Sequence, residues 1–450
     1  MSFDDESVDG LSNFSLDPVR MLPLELMEHV LTYLDAGSLL HGELVSREWN
    51  NVASSDHIWK QVFRDEFQDT LQIGTARKIK RQISAKATQG QDWKSMWRAR
   101  KALHQRWLDG HAAAIYLEGH TDSVYCVQFD KDKILTGSRD RTVRVWDAHT
   151  YECLRVVGMR SRPTGPTPQP LPMDVLESGQ RPFTKVFAPQ TRTPISSPGV
   201  PCRHSGSILC LQYDDNIMVT GSSDCSLIIW DVQNDYSPTQ RLRHHTAGVL
   251  DVCFDEKHIV SCSKDTTVCL WSRKTGTFLR RLSGHRGPVN AVQLRGDLVV
   301  SASGDGIAKL WNLASGLCIK EFPSKNRGMA CVEFSLDSRT ILAGGNDQVI
   351  YQFDTNTGEL VRELKGHGDL VRSLHLDSSS GRVVSGSYDY SVKAFDLCTG
   401  ENLVSFTKWT SSWILSAKAD YRRIVATSQD SRAVIMDFGY ELPGIKLLET

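Results

Sequence analysis

No apolar run in the 450-residue chain approaches the length of a membrane-spanning helix. The opening residues, MSFDDESVDG, are acidic where an export signal would be basic and then apolar. Net charge is −1, so nothing global draws the chain to nucleic acid or to an anionic membrane. The eleven cysteines include no CxxC pair, and most lie in strand-like runs, as Cys126, Cys210, Cys253, Cys269 and Cys331 do. Reduced core thiols, in the cytoplasm or nucleus, are the expectation. Zinc-ligand spacing, a Gly-x4-Gly-Lys-Ser/Thr phosphate loop and a nucleophile beside an ordered base are all missing. No metal, no cofactor and no bond-making step are therefore expected. His244-His245 has the look of a metal pair, but His245 has a better use in the repeat that fills the chain.

That repeat is what the sequence has in abundance. GSRDRTVRVWD (137–147) returns as GSSDCSLIIWD (221–231), CSKDTTVCLWS (262–272), ASGDGIAKLWN (302–312) and GSYDYSVKAFD (386–396). Its turn aspartates are Asp140, Asp224, Asp265, Asp305, Asp347, Asp389 and Asp430, spaced by 40 to 42 residues except for a first gap of 84. Six residues after each stands a bulky side chain: Trp146, Trp230, Trp271, Trp311, Phe353, Phe395 or Met436. Two residues before it stands Ser, with Gly345 in the fifth copy. A His precedes the Asp by 20 residues in the first four copies (His120, His204, His245, His285) and by 22 in the sixth (His367).

Each copy alternates apolar and polar residues over short runs, as in SVYCVQF, KILTG and TVRVWD, which predicts a small antiparallel sheet. Asp fixes a tight turn, and the His bridges it to the Ser hydroxyl and the Trp indole N–H, so each buried polar atom finds a partner. One such sheet cannot bury both faces, but seven in a ring can. The pattern resembles the WD-repeat signature, complete in Gly119-His120 with Trp146-Asp147. The resemblance implies a mainly β fold, a seven-bladed propeller over residues 111–450. Proline-poor blades contrast with residues 158–202, which hold ten of the sixteen prolines and read as a mobile insert between the first two blades. Thr193-Pro194 and Ser197-Pro198 within it are expected by composition alone. The last copy lacks an outer strand, and AAAIYL (112–117) is expected to supply it and close the ring.

Before the ring, Leu22, Leu26, Val30, Leu31 and Leu34 recur at helical spacing. A second helix is predicted from Leu39 toward Trp49, and a third around Ile58, Trp59, Val62 and Phe63. Three helices in so few residues leave an apolar face for a partner. Leu22-Pro23-x-Glu25, Tyr33-Leu34-Asp35, Glu43-Leu44-Val45-Ser46-x-x-Trp49 and Ile58-Trp59 resemble an F-box over residues 20–66, after a disordered N-terminus (1–19). Proteins with an F-box before WD repeats are substrate receptors of SCF-type ubiquitin ligases. The resemblance implies that Leu22, Pro23, Leu26, Val30, Leu34, Leu44, Val45, Trp49 and Trp59 meet a Skp-type adaptor, and through it cullin and a RING subunit. Residues 67–110 read as a helical linker, basic at RKIKRQISAK (77–86) and amphipathic where Trp93, Trp97, Leu103 and Trp107 recur. A solvated helix face is the expected use of that basic run. The alternative for the whole chain is a WD-repeat scaffold that recruits no ligase.

The slot before each turn Asp varies: Arg139, Ser223, Lys264, Gly304, Asn346, Tyr388 and Gln429. A second set, read as Tyr125, Leu209, Leu250, Asn290, Ala330, Arg372 and Ile414, also falls on the rim. None of these fourteen is acidic. Arg139, Lys264 and Arg372 are expected to converge with an apolar floor, a surface suited to a peptide bearing phosphates. SILCLQYDD, GHRGPVNAV and GHGDLVRSL are similar to blades of the β-TrCP group of F-box/WD-repeat receptors. That resemblance assigns a doubly phosphorylated degron to Tyr125, Arg139, Ser207, Ser223, Leu250 and Lys264, and to Asn290, Gly304, Arg327, Gly328, Arg372 and Tyr388. The chain departs from the group at Ser412, where a basic residue is the rule, at Lys325 and Gly345, and in having only about twenty residues before the F-box.

Overall fold

The computed structural model describes residues 17–68, 92–158, 185–187 and 203–448, apart from Asn326, Ser379 and Lys408. Residues 1–16, the basic run at 77–86 and nearly all of the proline-rich insert lie outside that set.

Seven sheets form the ring. Blade 1 comprises Val124–Phe129, Lys133–Ser138, Val143–Asp147 and Cys153–Val157, and blades 2 to 6 repeat this four-strand meander. Blade 7 takes three strands from the end of the chain, Ile414–Ala419, Arg423–Ser428 and Ala433–Asp437. Its fourth is Ala113–Leu117, which pairs antiparallel with the last of these from Ala113↔Asp437 to Leu117↔Ala433. The first strand of each blade packs beside the first strand of the next, and that of blade 7 packs beside that of blade 1. Closure thus covers a sheet edge and buries Ile115 and Leu117 in the core with Val425 and Ile435. Within the insert, Lys185–Phe187 adds a short parallel strand outside Ala113–Leu117. The residue pattern of the insert, dominated by proline, gave no sign of it. Removing residues 113–117 is expected to lower the melting temperature by about 10 °C or more, since several core side chains leave at once. Differential scanning calorimetry of the truncated chain checks this.

The polar network inside blades 1 to 4 and 6 differs from expectation at one atom. His120 Nδ1 lies 2.7 Å from Asp140, and its Nε2 lies 2.8 Å from Thr136 Oγ1, which also accepts the Trp146 indole N–H at 2.9 Å. The bridging hydroxyl therefore stands four residues before the Asp, not two. Thr220, Ser261, Ser301 and Ser385 occupy the same place. The serine two before the Asp serves the turn instead: Ser138 Oγ accepts from Asp140 N–H and donates to the Asp122 carbonyl. Both hydroxyls sit on one face of a strand, and only the deeper one reaches the imidazole. The chain of donors is consistent: Trp N–H to hydroxyl, hydroxyl to Nε2, Nδ1–H to carboxylate. Burial pushes the His120, His245 and His285 imidazoles below their ordinary pKa, against the pull of their aspartates.

Burial alone would raise the Asp389 carboxyl, but hydrogen bonds from His367 and Ser391 hold it well below the usual range. Asp389→Asn should cost about 2–4 kcal/mol near neutrality. A depressed carboxylate stabilises fully above its unfolded pKa of about 3.9 and loses that contribution as pH falls through its folded value. The difference between wild type and variant should therefore shrink below about pH 4, with other titrating groups cancelling; paired denaturant titrations across pH measure it. Blade 5 has no such His, and Tyr351 replaces it, donating its hydroxyl to Asp347 at 2.7 Å.

The N-terminal module has five helices where three are predicted: α1 (Pro18–Met21), α2 (Leu24–Leu31), α3 (Ala36–Gly42), α4 (Arg47–Ala53) and α5 (Asp56–Gln68). Asp17 caps α1, so helix begins inside the segment expected to be disordered. The predicted second helix breaks at residues 43–46, where Ser46 caps α4 by accepting from Trp49 N–H. Helix α6 (Trp93–Leu108) joins module and ring. Its first half puts Trp93, Met96 and Trp97 into the helical core with Trp59, Leu31 and Leu39. Its second half puts Leu103 and Trp107 into the core of blades 6 and 7. Trp107 stacks on Phe438 with centroids 3.9 Å apart and donates to the Tyr421 carbonyl. Arg106 donates to the carbonyls of Phe438 and Tyr440. One helix thus belongs to two cores.

Candidate functional site: the rim and the helical module

Every first strand carries a β-bulge at its start. The register slips between Val124 and Cys126, Ile208 and Cys210, and Val249 and Asp251, and likewise in the other four blades. A bulged residue has no partner in the ladder and is re-aimed. The seven bulged residues are Tyr125, Leu209, Leu250, Asn290, Ala330, Arg372 and Leu415, and all line one central channel. Leu415, not Ile414, is the blade 7 member; Ile414 lies in the core. The sequence could not fix this register, since WTSSWILS lacks the Gly-His that anchors the other copies.

The slot before each turn Asp forms a second, outer ring. Its N–H groups donate across the rim to Ser123, Ser207, Gly248, Pro288, Gly328, Leu370 and Trp413, at 2.8–3.2 Å. These acceptors form a third ring, which contains Ser207 and Gly328 among the expected residues and also Trp413, which sequence reading passed over. Arg327 is exposed beside Gly328. The three rings thus contain every expected peptide-contact position except Arg327. Only Tyr125, Leu250, Asn290 and Arg372 of the twelve reach the channel itself. Arg139, Ser223, Lys264 and Gly304 are exposed on the outer ring, and Tyr388 is half-buried there. A Cβ on Gly328 would meet Gly304 O at 3.1 Å, so blades 4 and 5 present bare backbone at this point. The channel holds about 260 Å³, room for a side chain.

Charge on the rim is mixed more than the fourteen slots suggest. Arg139 stands 3.7 Å from Asp122, with its side chain 57% exposed. Arg372 Nη1 donates to the Ala330 carbonyl at 3.1 Å, and Asn290 donates to Met329, tying neighbouring blades together. One step down the channel lies Asp251, whose carboxylate accepts from Val292 and Val252 N–H. Burial raises its pKa, with Lys418 and Arg372 pulling the other way. Glu333 lies in the same channel and is raised by burial too.

The helical module shows a different surface, rich in exposed apolar side chains. Leu22, Pro23, Leu26, Val30, Leu34, Leu44 and Val45 are exposed, Leu44 by 83% and Val45 by 66%. Met21, Leu24 and Tyr33 extend the patch. One expected member does not belong: Trp59 is fully buried, donates to the Ala53 carbonyl and holds the helices together from inside. Trp49 is half-buried and donates to Asp17. The adjacent apolar exposure in a module this small marks a protein-contact face.

A model of the F-box-like domain matches residues 19–65. The WD domain, G-beta repeat, matches residues 110–147, 199–231, 236–272, 276–312 and 358–396. The chain joins an F-box to WD40 repeats. The unmatched blades of this F-box/WD-repeat chain, 5 and 7, are those in which alanine (Ala343, Ala426) takes the place of the bridging hydroxyl residue. The guanine nucleotide-binding protein subunit beta of Arabidopsis thaliana is 26% identical over 309 residues, 62% of this chain and 81% of that protein. A protein of Arthroderma otae described as "Probable E3 ubiquitin ligase complex SCF subunit sconB" is 29% identical over 178 residues, 35% of this chain and 26% of that one. The WD40 β-propeller domain of Doa1 superposes with a TM-score of 0.56 at 20% identity, covering 72% of this chain and 95% of that structure. That last likeness speaks to the fold.

Proposed function

We propose that this F-box/WD-repeat chain is the substrate-recognition subunit of an SCF-type ubiquitin ligase. The apolar face of the helical module docks a Skp-type adaptor, which brings cullin and a RING subunit. The rim binds a phosphorylated degron peptide. The chain itself makes no bond; it raises the local concentration of substrate lysines beside a charged ubiquitin-conjugating enzyme.

The observation that carries the reading is the placement of the two surfaces. In blade 7 the first strand starts at the rim with Leu415 and runs away from it to the loop of Tyr421. Trp107 of α6 grips that far loop. The helical module is thus mounted on the end of the ring away from the rim, so both faces stay open at once. Affinity capture with the full chain, with and without phosphatase treatment of the lysate, tests the proposal. The adaptor should be captured in both arms and substrates only in the untreated one. Absence of the adaptor would favour a WD-repeat scaffold instead.

A further inference from the structure

Basic rim positions occur in blades 1, 3 and 6, and blade 7 lies between two of these. Going round the ring, Arg372 of blade 6 and Arg139 of blade 1 flank it. Its own three rim positions are Gln429, Trp413 and Leu415, all uncharged. Trp413 is 40% exposed, unusual for so large an aromatic side chain on a surface meant for water. Its indole lies parallel to the Tyr388 ring, with centroids 4.7 Å apart and planes 11° apart. Tyr388 is itself held at the rim by its N–H bond to Leu370. Just before Trp413 in the chain, Ser412 Oγ donates to Gln429 Oε1, and Ser411 Oγ donates to Asp430. The loop that carries Trp413 is thus tied to the outer ring, and the indole stays 40% exposed beside Tyr388.

We infer that the Trp413–Tyr388 pair is a subsite for an aromatic side chain of the bound peptide. An exposed, pre-stacked indole accepts either a flat apolar ring or a cation. A flat ring gives up less hydration on stacking than a cation does, so the ring is the occupant. The two flanking arginines, Arg372 and Arg139, attract anions, so the fitting peptide carries its aromatic residue close to a phosphoserine. This deepens the degron reading and rests on the rim being the peptide-binding face.

Selection from a randomised peptide library with a fixed phosphoserine, run beside its unphosphorylated serine counterpart, tests it. Wild type and Trp413→Phe should both enrich an aromatic residue at one offset from the phosphoserine, and Trp413→Ala should lose that preference. The best aromatic peptide should bind Trp413→Ala about tenfold more weakly, and its alanine version should not change. An unchanged melting temperature for Trp413→Ala separates loss of the subsite from loss of fold. Aromatic enrichment that survives Trp413→Ala, or enrichment of basic residues instead, overturns the subsite while leaving the phosphate reading intact. Equal enrichment from the serine library removes the phosphate requirement and leaves the subsite standing. No enrichment from either library overturns both.

Discussion

The Arg139→Glu variant should lose phosphopeptide binding by about 100-fold while melting within a few degrees of wild type. The Arg139 side chain is mostly in water, and Asp122, its charged neighbour, is 3.7 Å away, too far for a firm bond. Its guanidinium is thus free to fork onto a phosphate, and removing it strands no buried group. Reversing the charge adds repulsion to the lost bonds. Arg372 needs a gentler change. It ties Ala330 to blade 6 and eases the charge of Asp251, so glutamate there would set a second carboxylate beside a buried one. Arg372→Gln keeps a donor and drops the charge; a weakening of about tenfold is expected. Fluorescence anisotropy with one labelled phosphopeptide measures both variants. Unaltered affinity in the two would remove the rim from phosphate recognition.

Leu26→Asp carries the other large effect. Leu26 is 54% exposed on α2, so the substitution should shift stability by no more than about 0.5 kcal/mol. An aspartate buried at the centre of an apolar interface costs about 2 kcal/mol or more, roughly a 30-fold loss of adaptor affinity. Trp59→Ala serves as the contrast. It empties the helical core, so adaptor binding and helical signal should fall together, by about 3–5 kcal/mol in stability. Pull-down of the adaptor alongside circular dichroism separates the two cases.

The ring was legible because its polar network needs His, Asp and Trp at fixed separations, and those residues are rare enough to stand out. Trp59 was misplaced for a physical reason. The F-box pattern marks it without saying which face of the helix it takes, and an indole serves a core as well as an interface. The break between α3 and α4 has no proline to announce it. The bridging hydroxyl was assigned two residues late because side chains on a strand return to the same face every second residue, which puts Thr136 and Ser138 side by side there. Trp413 was hidden by the missing Gly-His of blade 7, without which its place in the third ring could not be counted.

The seven bulges have a consequence for tolerance to change. A residue outside the ladder can be exchanged for almost any other without disturbing the sheet's backbone bonds, as Tyr125, Asn290, Ala330 and Arg372 already show in equivalent places. The ring therefore behaves as a set of interchangeable sockets. The frame keeps its backbone bonds whichever residue fills a socket, and only where a side chain crosses to the next blade, as those of Asn290 and Arg372 do, does an exchange also cost a tie between blades.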